Sequence, residues 1–135
     1  MGANPQQTLL AMREAERYSG PSLILAYSHC IAHGIDMRLG LHQQALAVAS
    51  GYWPLMRYNP VLRQAGKQPF VLDSPRPTMK LSDYAYTEMR YKLLQRNQPD
   101  EAERLMKLAQ EAVDLRWATY EHMANQEPSQ FQPMA

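Results

Sequence analysis

The chain has 135 residues, a length that suits a single domain with a buried core. Its 14 Lys and Arg residues nearly balance its 13 Asp and Glu residues, so its charge does not point to nucleic acid or to a membrane surface. A single cysteine excludes an internal disulfide framework and fits a reducing compartment. No run of about 18 apolar residues and no signal-peptide pattern is present, so we expect a cytoplasmic protein.

The N-terminal third predicts a helix followed by a buried strand. Asn4-Pro5 is typical of a helix start, and we expect the helix to run from about residue 5 to 18, ahead of Ser19-Gly20-Pro21. The five residues from Leu23 to Tyr27 are apolar or aromatic and lie between a turn signal and a polar cluster. Such a run predicts a fully buried strand. Helix, turn and strand together are half of an α/β unit.

The middle of the chain predicts one more helix, an edge strand and a long extended segment. A helix over about 41–50 would end at Gly51. A strand candidate follows at residues 52–58, where Pro54 cannot donate to a ladder and favours an edge position. From residue 59 to 80, repeated Pro and Gly residues predict an extended segment whose apolar residues pack against a surface.

The C-terminal part predicts two helices and a tail. The first helix is expected over about 83–96 with Ser82 as its cap, and the second over about 99–123. Apolar residues at three- and four-residue spacing in the second helix predict its inward face, which Trp117 and Tyr120 broaden: Leu105, Leu108, Ala109, Ala112, Leu115 and Ala118 or Thr119. The remaining residues, 125–135, are rich in Gln and Pro and predict a disordered tail, so that residues 1–124 form the folded part.

The polar cluster after Leu23–Tyr27 contains the only cysteine, Cys30, between His29 and His33. Three interpretations remain open from the residues alone. Imidazole and thiolate are zinc ligands, but the spacing does not match that of known zinc sites. A histidine beside a thiolate is also the arrangement of a nucleophilic cysteine. The third interpretation, which composition favours, is a small cysteine buried at the end of a strand.

Three longer blocks, taken together, resemble a known family. Residues 20–34 read Gly-Pro-Ser-Leu-Ile-Leu-Ala-Tyr-Ser-His-Cys-Ile-Ala-His-Gly, residues 51–60 read Gly-Tyr-Trp-Pro-Leu-Met-Arg-Tyr-Asn-Pro, and residues 66–74 read Gly-Lys-Gln-Pro-Phe-Val-Leu-Asp-Ser. In sequence, order and spacing they resemble the carboxyl-terminal region of pyruvate:ferredoxin (flavodoxin) oxidoreductases. The resemblance extends over about residues 1–124.

The resemblance implies a fold and a chemistry. Members of this family are very large, multidomain enzymes, commonly homodimers, that cleave pyruvate oxidatively with coenzyme A to acetyl-CoA and carbon dioxide. They use thiamine diphosphate with magnesium and several [4Fe-4S] clusters, and pass electrons to ferredoxin or flavodoxin. The chain resembles the last part of their thiamine-diphosphate-binding domain. The expected fold is therefore α/β: a partial parallel sheet, then a long extended segment and two C-terminal helices.

The resemblance also implies a role for Cys30. In the family, the cysteine after the Ala-Tyr strand supplies the fourth thiolate to the cluster nearest the thiamine, and Cys30 occupies that position. Ser28, His29 and His33 would then be structural or lie around the ligand.

The sequence departs from the family in what it lacks. It contains no Gly-Asp-Gly thiamine motif and no Cys-x-x-Cys unit, whereas a [4Fe-4S] cluster needs about four thiolates. We therefore expect a fragment of the oxidoreductase that is inactive alone and depends on the remaining domains or subunits of the parent enzyme. The alternative is a non-catalytic remnant or interaction module that docks on larger subunits.

Overall fold

The structure, a computed structural model, describes residues 2–128 of the chain and is mostly helical. Two short antiparallel strands, β1 (Met56–Tyr58) and β2 (Phe70–Leu72), form its sheet. Two single 3-10 turns, Ile31–His33 and Met37–Leu39, precede α2. The helices are α1 (Pro5–Arg17), α2 (Gly40–Ala49), α3 (Pro60–Gln64), α4 (Leu81–Ala85), α5 (Met89–Asn97) and α6 (Pro99–Asn125).

Local capping signals place the first helix as predicted. The Asn4 side chain accepts a hydrogen bond from the Gln7 backbone N–H at 3.0 Å, and Pro5 occupies the first turn. Asn59 caps α3 in the same way, through a 3.1 Å hydrogen bond from the Val61 N–H. An Asn-Pro pair starts both helices because the side chain satisfies a free N–H and the proline needs none.

The predicted buried strand over Leu23–Tyr27 is wrong. The segment has no regular secondary structure, and Leu23 and Leu25 are 83% and 73% exposed. A strand needs a neighbour to pair its N–H and C=O groups. Within residues 2–128 the only two strands, β1 and β2, pair with each other. The structure therefore confirms an α/β chain, but the parallel sheet is not found among the described residues.

The expected edge strand and extended segment form a short hairpin. The predicted strand over 52–58 is reduced to β1, which pairs with β2 in the register Met56↔Leu72, Arg57↔Val71, Tyr58↔Phe70. The segment over 59–80 is not extended throughout, because α3 and β2 lie within it. Residues 59–69 connect β1 to β2, and the Asn59-capped helix α3 lies within this connection. The prediction that apolar residues of this segment pack against a surface is confirmed at Phe70. This residue is buried, and its ring centroid lies 6.1 Å from that of Tyr120.

The first C-terminal helix is divided where the sequence predicts continuity. The predicted helix over 83–96 becomes α4 and α5, separated by residues 86–88, and α4 begins at Leu81, so Ser82 is not its cap. The break occurs because Glu88 adopts an extended backbone (φ −101°, ψ 134°) that carries its side chain into the interior. The tail predicted over 125–135 falls mostly outside the described residues, which end at 128.

The long helix α6 is confirmed, and its predicted inward face is confirmed in part: Trp117 is buried and Ala109 packs against the core. Ala102, Val113 and Trp117 are buried on α6, whereas Leu105, Leu108 and Leu115 are exposed. The helix has two apolar stripes, and the stripe that contains the bulky Trp117 packs against the rest of the domain. Although α6 has 27 residues, no helix within residues 2–128 is long and apolar enough to cross a membrane.

The core lies where α2, α4 and α6 meet. Its buried residues are Ala47 from α2, Leu81 and Tyr84 from α4, and Val113 from α6. Partly buried residues pack around them: Tyr27, Leu46, Tyr52, Trp53, Met79, Met106 and Ala109. Tyr27 belongs to the otherwise exposed N-terminal segment, so that residue fastens the segment to the core.

Gly51 packs closely against core residues, and the exposed Gly66 provides a matched control for it. Both have left-handed φ angles, 72° and 67°. A Cβ on Gly51 would lie 2.7 Å from Pro77 Cγ and 3.1 Å from Val113 Cγ1, whereas one on Gly66 would meet nothing within 4 Å. We expect Gly66→Ala to lower the free energy of unfolding by about 1 kcal/mol and Gly51→Ala by about 3 kcal/mol. Urea unfolding followed by circular dichroism measures both, and equal losses would contradict the steric contact at Gly51.

Candidate functional site

The candidate ligand Cys30 lies on the surface, at the start of a 3-10 turn. It is the N-cap residue of Ile31–His33, and its carbonyl accepts a 3.0 Å hydrogen bond from the His33 N–H. Its thiol is free and exposed. The interpretation of Cys30 as a small buried cysteine is therefore wrong, because the expected strand that would bury it does not form. An exposed thiol is available to an external partner or a metal.

His29, the residue before Cys30, is directed to α2. Its Nδ1 accepts a 2.9 Å hydrogen bond from the Gln44 side-chain amide. Gln44 in turn accepts a hydrogen bond from the Gly2 backbone N–H. The imidazole lies over Gly40, where an added Cβ would be 2.3 Å from His29 Nε2. His29 is therefore fixed against the first turn of α2.

His33, on the other side of Cys30, is directed to a buried carboxylate. Its Nδ1 is buried and lies 3.8 Å from Glu88 Oε1, too far for a hydrogen bond. Both histidines thus have neighbours other than Cys30. Residues 2–128 contain no group of three or more His, Cys, Asp or Glu side chains that could hold a metal ion. The zinc interpretation has no support in this part of the chain.

The carboxylate of Glu88 is fully buried and accepts hydrogen bonds from three elements. Gln43 of α2 and the Tyr84 hydroxyl of α4 each donate to Oε1 at 3.0 Å, and the Arg90 guanidinium of α5 donates to Oε2. A buried carboxylate is costly unless it is paired and hydrogen-bonded, and these donors offset that cost. We call Glu88, Gln43, Tyr84 and Arg90 the Glu88 cluster.

A second tyrosine joins the cluster to the segment before Cys30. The hydroxyls of Tyr27 and Tyr84 are 2.9 Å apart. Because the single Tyr84 proton is donated to Glu88, Tyr27 donates to Tyr84. Burial, the hydrogen bond with Tyr27 and the charge of Glu88 raise the pKa of Tyr84 above its usual range, so the hydroxyl stays protonated. Tyr27 also stacks on Trp53, with ring centroids 5.2 Å apart.

No known family profile matches the chain, but curated proteins do. It is 48% identical over 125 residues to the pyruvate-flavodoxin oxidoreductase of Nostoc sp. and 52% identical over 124 residues to the putative pyruvate-flavodoxin oxidoreductase of Synechocystis sp.. It is 45% identical over 124 residues to the pyruvate:ferredoxin oxidoreductase of Moorella thermoacetica.

The chain matches one segment of the pyruvate-flavodoxin and pyruvate:ferredoxin oxidoreductases. The matches cover 92–93% of this chain but only 10–11% of each relative. The resemblance seen in the three sequence blocks is therefore confirmed across nearly the whole chain. The chain spans about a tenth of the length of these oxidoreductases.

The exposed thiol of Cys30 has the chemistry that one ligand of an iron–sulfur cluster requires. A thiolate is the ligand that iron–sulfur clusters use, and Cys30 is exposed where a cluster held by other residues can reach it. Cys30 would be the only thiolate of this chain in that site. The thiamine and magnesium motif is absent from the sequence, so no residue is assigned to those cofactors.

Sequence reasoning missed the Glu88 cluster beneath the Cys30 turn. Glu88 lies in Tyr-Thr-Glu-Met-Arg, a polar run that reads as the exposed side of the helix expected over 83–96. The partners of Glu88 come from positions 43, 84 and 90, and a single sequence does not show which of these meet. The one local signal is the four-residue spacing of Tyr84 and Glu88, which a helix places on one face.

Proposed function

We propose that residues 1–124 are the carboxyl-terminal segment of the thiamine-diphosphate-binding domain of a pyruvate:ferredoxin/flavodoxin oxidoreductase. The observation that carries the proposal is identity of 45–52% with three such oxidoreductases over 92–93% of the chain. The parent enzyme would convert pyruvate and coenzyme A to acetyl-CoA and carbon dioxide in the cytoplasm. Its electrons would pass through iron–sulfur clusters to ferredoxin or flavodoxin.

In this proposal, Cys30 supplies one thiolate to a [4Fe-4S] cluster whose other ligands come from the rest of the parent enzyme. The exposed thiol supports the role, since a buried thiol would be closed to ligands from outside the chain. The cluster, when bound, accepts and passes on single electrons. This chain's part is to hold the thiol in place, with His29 fixed on α2 and His33 beside Glu88.

The exposed apolar segment before Cys30 supports a place within a larger protein. Leu23, Ile24 and Leu25 are 83%, 51% and 73% exposed. A contiguous apolar surface is costly in water and usually marks a protein contact. We propose that this segment becomes the buried strand of the parent's parallel sheet, with neighbouring strands supplied by the rest of the oxidoreductase. The exposed stripe of α6, formed by Leu105, Leu108 and Leu115, is a further surface for such contacts.

It follows that the isolated chain has no oxidoreductase activity, because it would hold one thiolate and no thiamine site. The second candidate is a non-catalytic remnant or interaction module that docks on larger subunits. The same exposed apolar segment favours it, since docking needs an apolar surface but no cluster. The two candidates differ in whether Cys30 is needed.

Complementation of a truncated relative would test the proposal. The Synechocystis oxidoreductase, lacking the segment matched here, would be co-expressed anaerobically with this chain, with its Cys30→Ser variant or with Ser28→Ala as a control. We expect the chain and Ser28→Ala to restore pyruvate-dependent dye reduction and the low-temperature EPR signal of the cluster. Cys30→Ser should bind the truncated enzyme but restore neither.

Two results would contradict the proposal. Equal restoration by Cys30→Ser would show that Cys30 is not a ligand and would favour a docking module. Pyruvate-dependent dye reduction by the anaerobically purified chain alone, with stoichiometric iron, would show that the chain does not need the parent enzyme.

A further inference from the structure

We propose that Glu88 is the positioning residue of Cys30: its buried carboxylate holds Tyr27, at the first end of residues 27–34, through hydrogen bonds, and the backbone next to it holds Gly34, at the second end. We call residues 27–34 the Cys30 loop. Glu88 is 58 positions from Cys30 in sequence, so its effect on the thiol depends on the tertiary structure. It concerns how the thiol is held, whether or not iron binds it.

The first end of the loop reaches Glu88 through two hydroxyls. Tyr27 donates to Tyr84 at 2.9 Å, and Tyr84 donates to Glu88 Oε1 at 3.0 Å. The Tyr27 ring is held at the same time by stacking on Trp53 and by an edge contact with Tyr52 at 5.5 Å. Tyr27 is thus the point where an otherwise exposed segment enters the core. The hydrogen bond to Tyr84 orients the Tyr27 side chain, and the ring contacts hold it in the core.

The second end of the loop meets Glu88 and the residue after it. His33 Nδ1 lies 3.8 Å from Glu88 Oε1, and the Gly34 carbonyl accepts a 3.3 Å hydrogen bond from the Met89 N–H. Gly34 has φ 72°, and a Cβ there would be 2.4 Å from Met89 Cβ. The backbone at Gly34 therefore packs against the start of α5. The C-terminal end of the loop is held by the turn that contains Glu88.

The burial of Glu88 indicates that it does more than fill space. An apolar residue of similar size would occupy the same volume without the desolvation cost of a carboxylate. The carboxylate instead gathers Gln43, Tyr84 and Arg90 from three helices onto one point. Hydrogen bonds to a buried charge are strong and directional, so they fix geometry better than apolar packing does. This geometry is transmitted to the Cys30 loop through Tyr84 and Tyr27.

The test uses the fact that Cys30 is the only cysteine, so a nitroxide spin label attaches to the full chain at one position. Its EPR spectrum reports how freely the loop moves on the nanosecond timescale. We expect Glu88→Gln to shorten the rotational correlation time of the label at least about twofold, because the loss of the buried charge weakens the hydrogen-bonded path through Tyr84 to Tyr27. The matched control is Glu101→Gln, which removes an exposed carboxylate that pairs with Arg104. The spectrum of this variant should equal that of the unsubstituted chain.

A milder variant keeps the test decisive if Glu88→Gln fails to fold. Tyr27→Phe removes one hydroxyl and leaves the Glu88 cluster intact, and it should increase label mobility less than Glu88→Gln does. In the double variant, mobility should not exceed that of Glu88→Gln, because Tyr27 acts through Glu88. Near-ultraviolet circular dichroism confirms that each variant is folded at the temperature used.

Three outcomes would overturn the inference. One is an unchanged spectrum in folded Glu88→Gln. Another is an unchanged spectrum in Tyr27→Phe. The third is a double variant more mobile than Glu88→Gln, which would show that Tyr27 acts independently. The measurement needs no iron, so it tests the positioning role of Glu88 independently of the role of Cys30 as a ligand.

Discussion

Replacing Tyr84 by alanine is expected to lower the free energy of unfolding by about 4 kcal/mol. Tyr84 has no solvent-exposed surface and belongs to the core shared by α2, α4 and α6. Its ring lies 5.0 Å from that of Tyr52, and its hydroxyl joins Tyr27 to Glu88. The substitution therefore leaves a cavity and also removes a hydrogen bond from a buried carboxylate. Urea unfolding followed by circular dichroism at neutral pH measures the loss.

Two comparisons divide the expected loss into its causes. Tyr84→Phe keeps the ring and removes the hydroxyl, so we expect it to cost about 1–2 kcal/mol. Tyr58→Ala removes a tyrosine that is 55% exposed and should change the free energy of unfolding by less than about 1 kcal/mol. A loss below about 1 kcal/mol for Tyr84→Ala would contradict its place at the centre of the core.

Replacing Arg57 by methionine is expected to lower the free energy of unfolding by about 2 kcal/mol. Arg57 in β1 donates to both Asp73 oxygens at 2.8 Å and pairs with Glu14 of α1. The Arg57 and Asp73 side chains are only 17% and 12% exposed, so the loss exceeds that of a surface ion pair. The hydrogen bond to Asp73 is the main cause that raises the pKa of Arg57, and the guanidinium stays charged. Methionine keeps most of the apolar volume, so the loss reports the charge.

The controls for Arg57 use a surface pair and a double variant. Arg76→Met removes the partner of Glu121, and we expect no measurable change because Arg76 is 73% exposed. Combining Arg57→Met with Asp73→Asn should recover part of the lost stability, since the largely buried carboxylate of Asp73 is then replaced by a neutral amide. Thermal unfolding of the three variants gives the comparison. A double variant less stable than Arg57→Met would contradict a pairing role for Asp73.

The contacts at these two sites stabilise the fold of this chain through residues of the chain itself. The core around Tyr84 joins α2, α4 and α6, and the Arg57 ion pairs join α1 to the hairpin. The segment over 19–26 takes little part in either, and its leucines remain in water. The described chain is thus well packed at the base of the Cys30 loop, whereas the apolar segment before the loop is exposed.

The sequence by itself determined the features that depend on neighbouring residues. The Asn4-Pro5 cap, the end of α2 before Gly51 and the extent of α6 follow from local signals, and the structure confirms them. Three sequence blocks were enough to show the resemblance to pyruvate oxidoreductases, which identity over 92–93% of the chain confirms. Such features need no knowledge of which distant residues meet.

Only the tertiary structure decided the exposure of Cys30 and the position of Glu88. An apolar run such as Leu23–Tyr27 forms a strand only where another strand pairs with it, and pairing is not encoded in the run itself. On α6, long-range packing buried Val113 and Trp117 and left Leu105, Leu108 and Leu115 exposed, although all are apolar. Glu88 is buried because donors from positions 43, 84 and 90 meet there. The contact with Gln43, 45 residues away in sequence, forms only when the whole chain is packed.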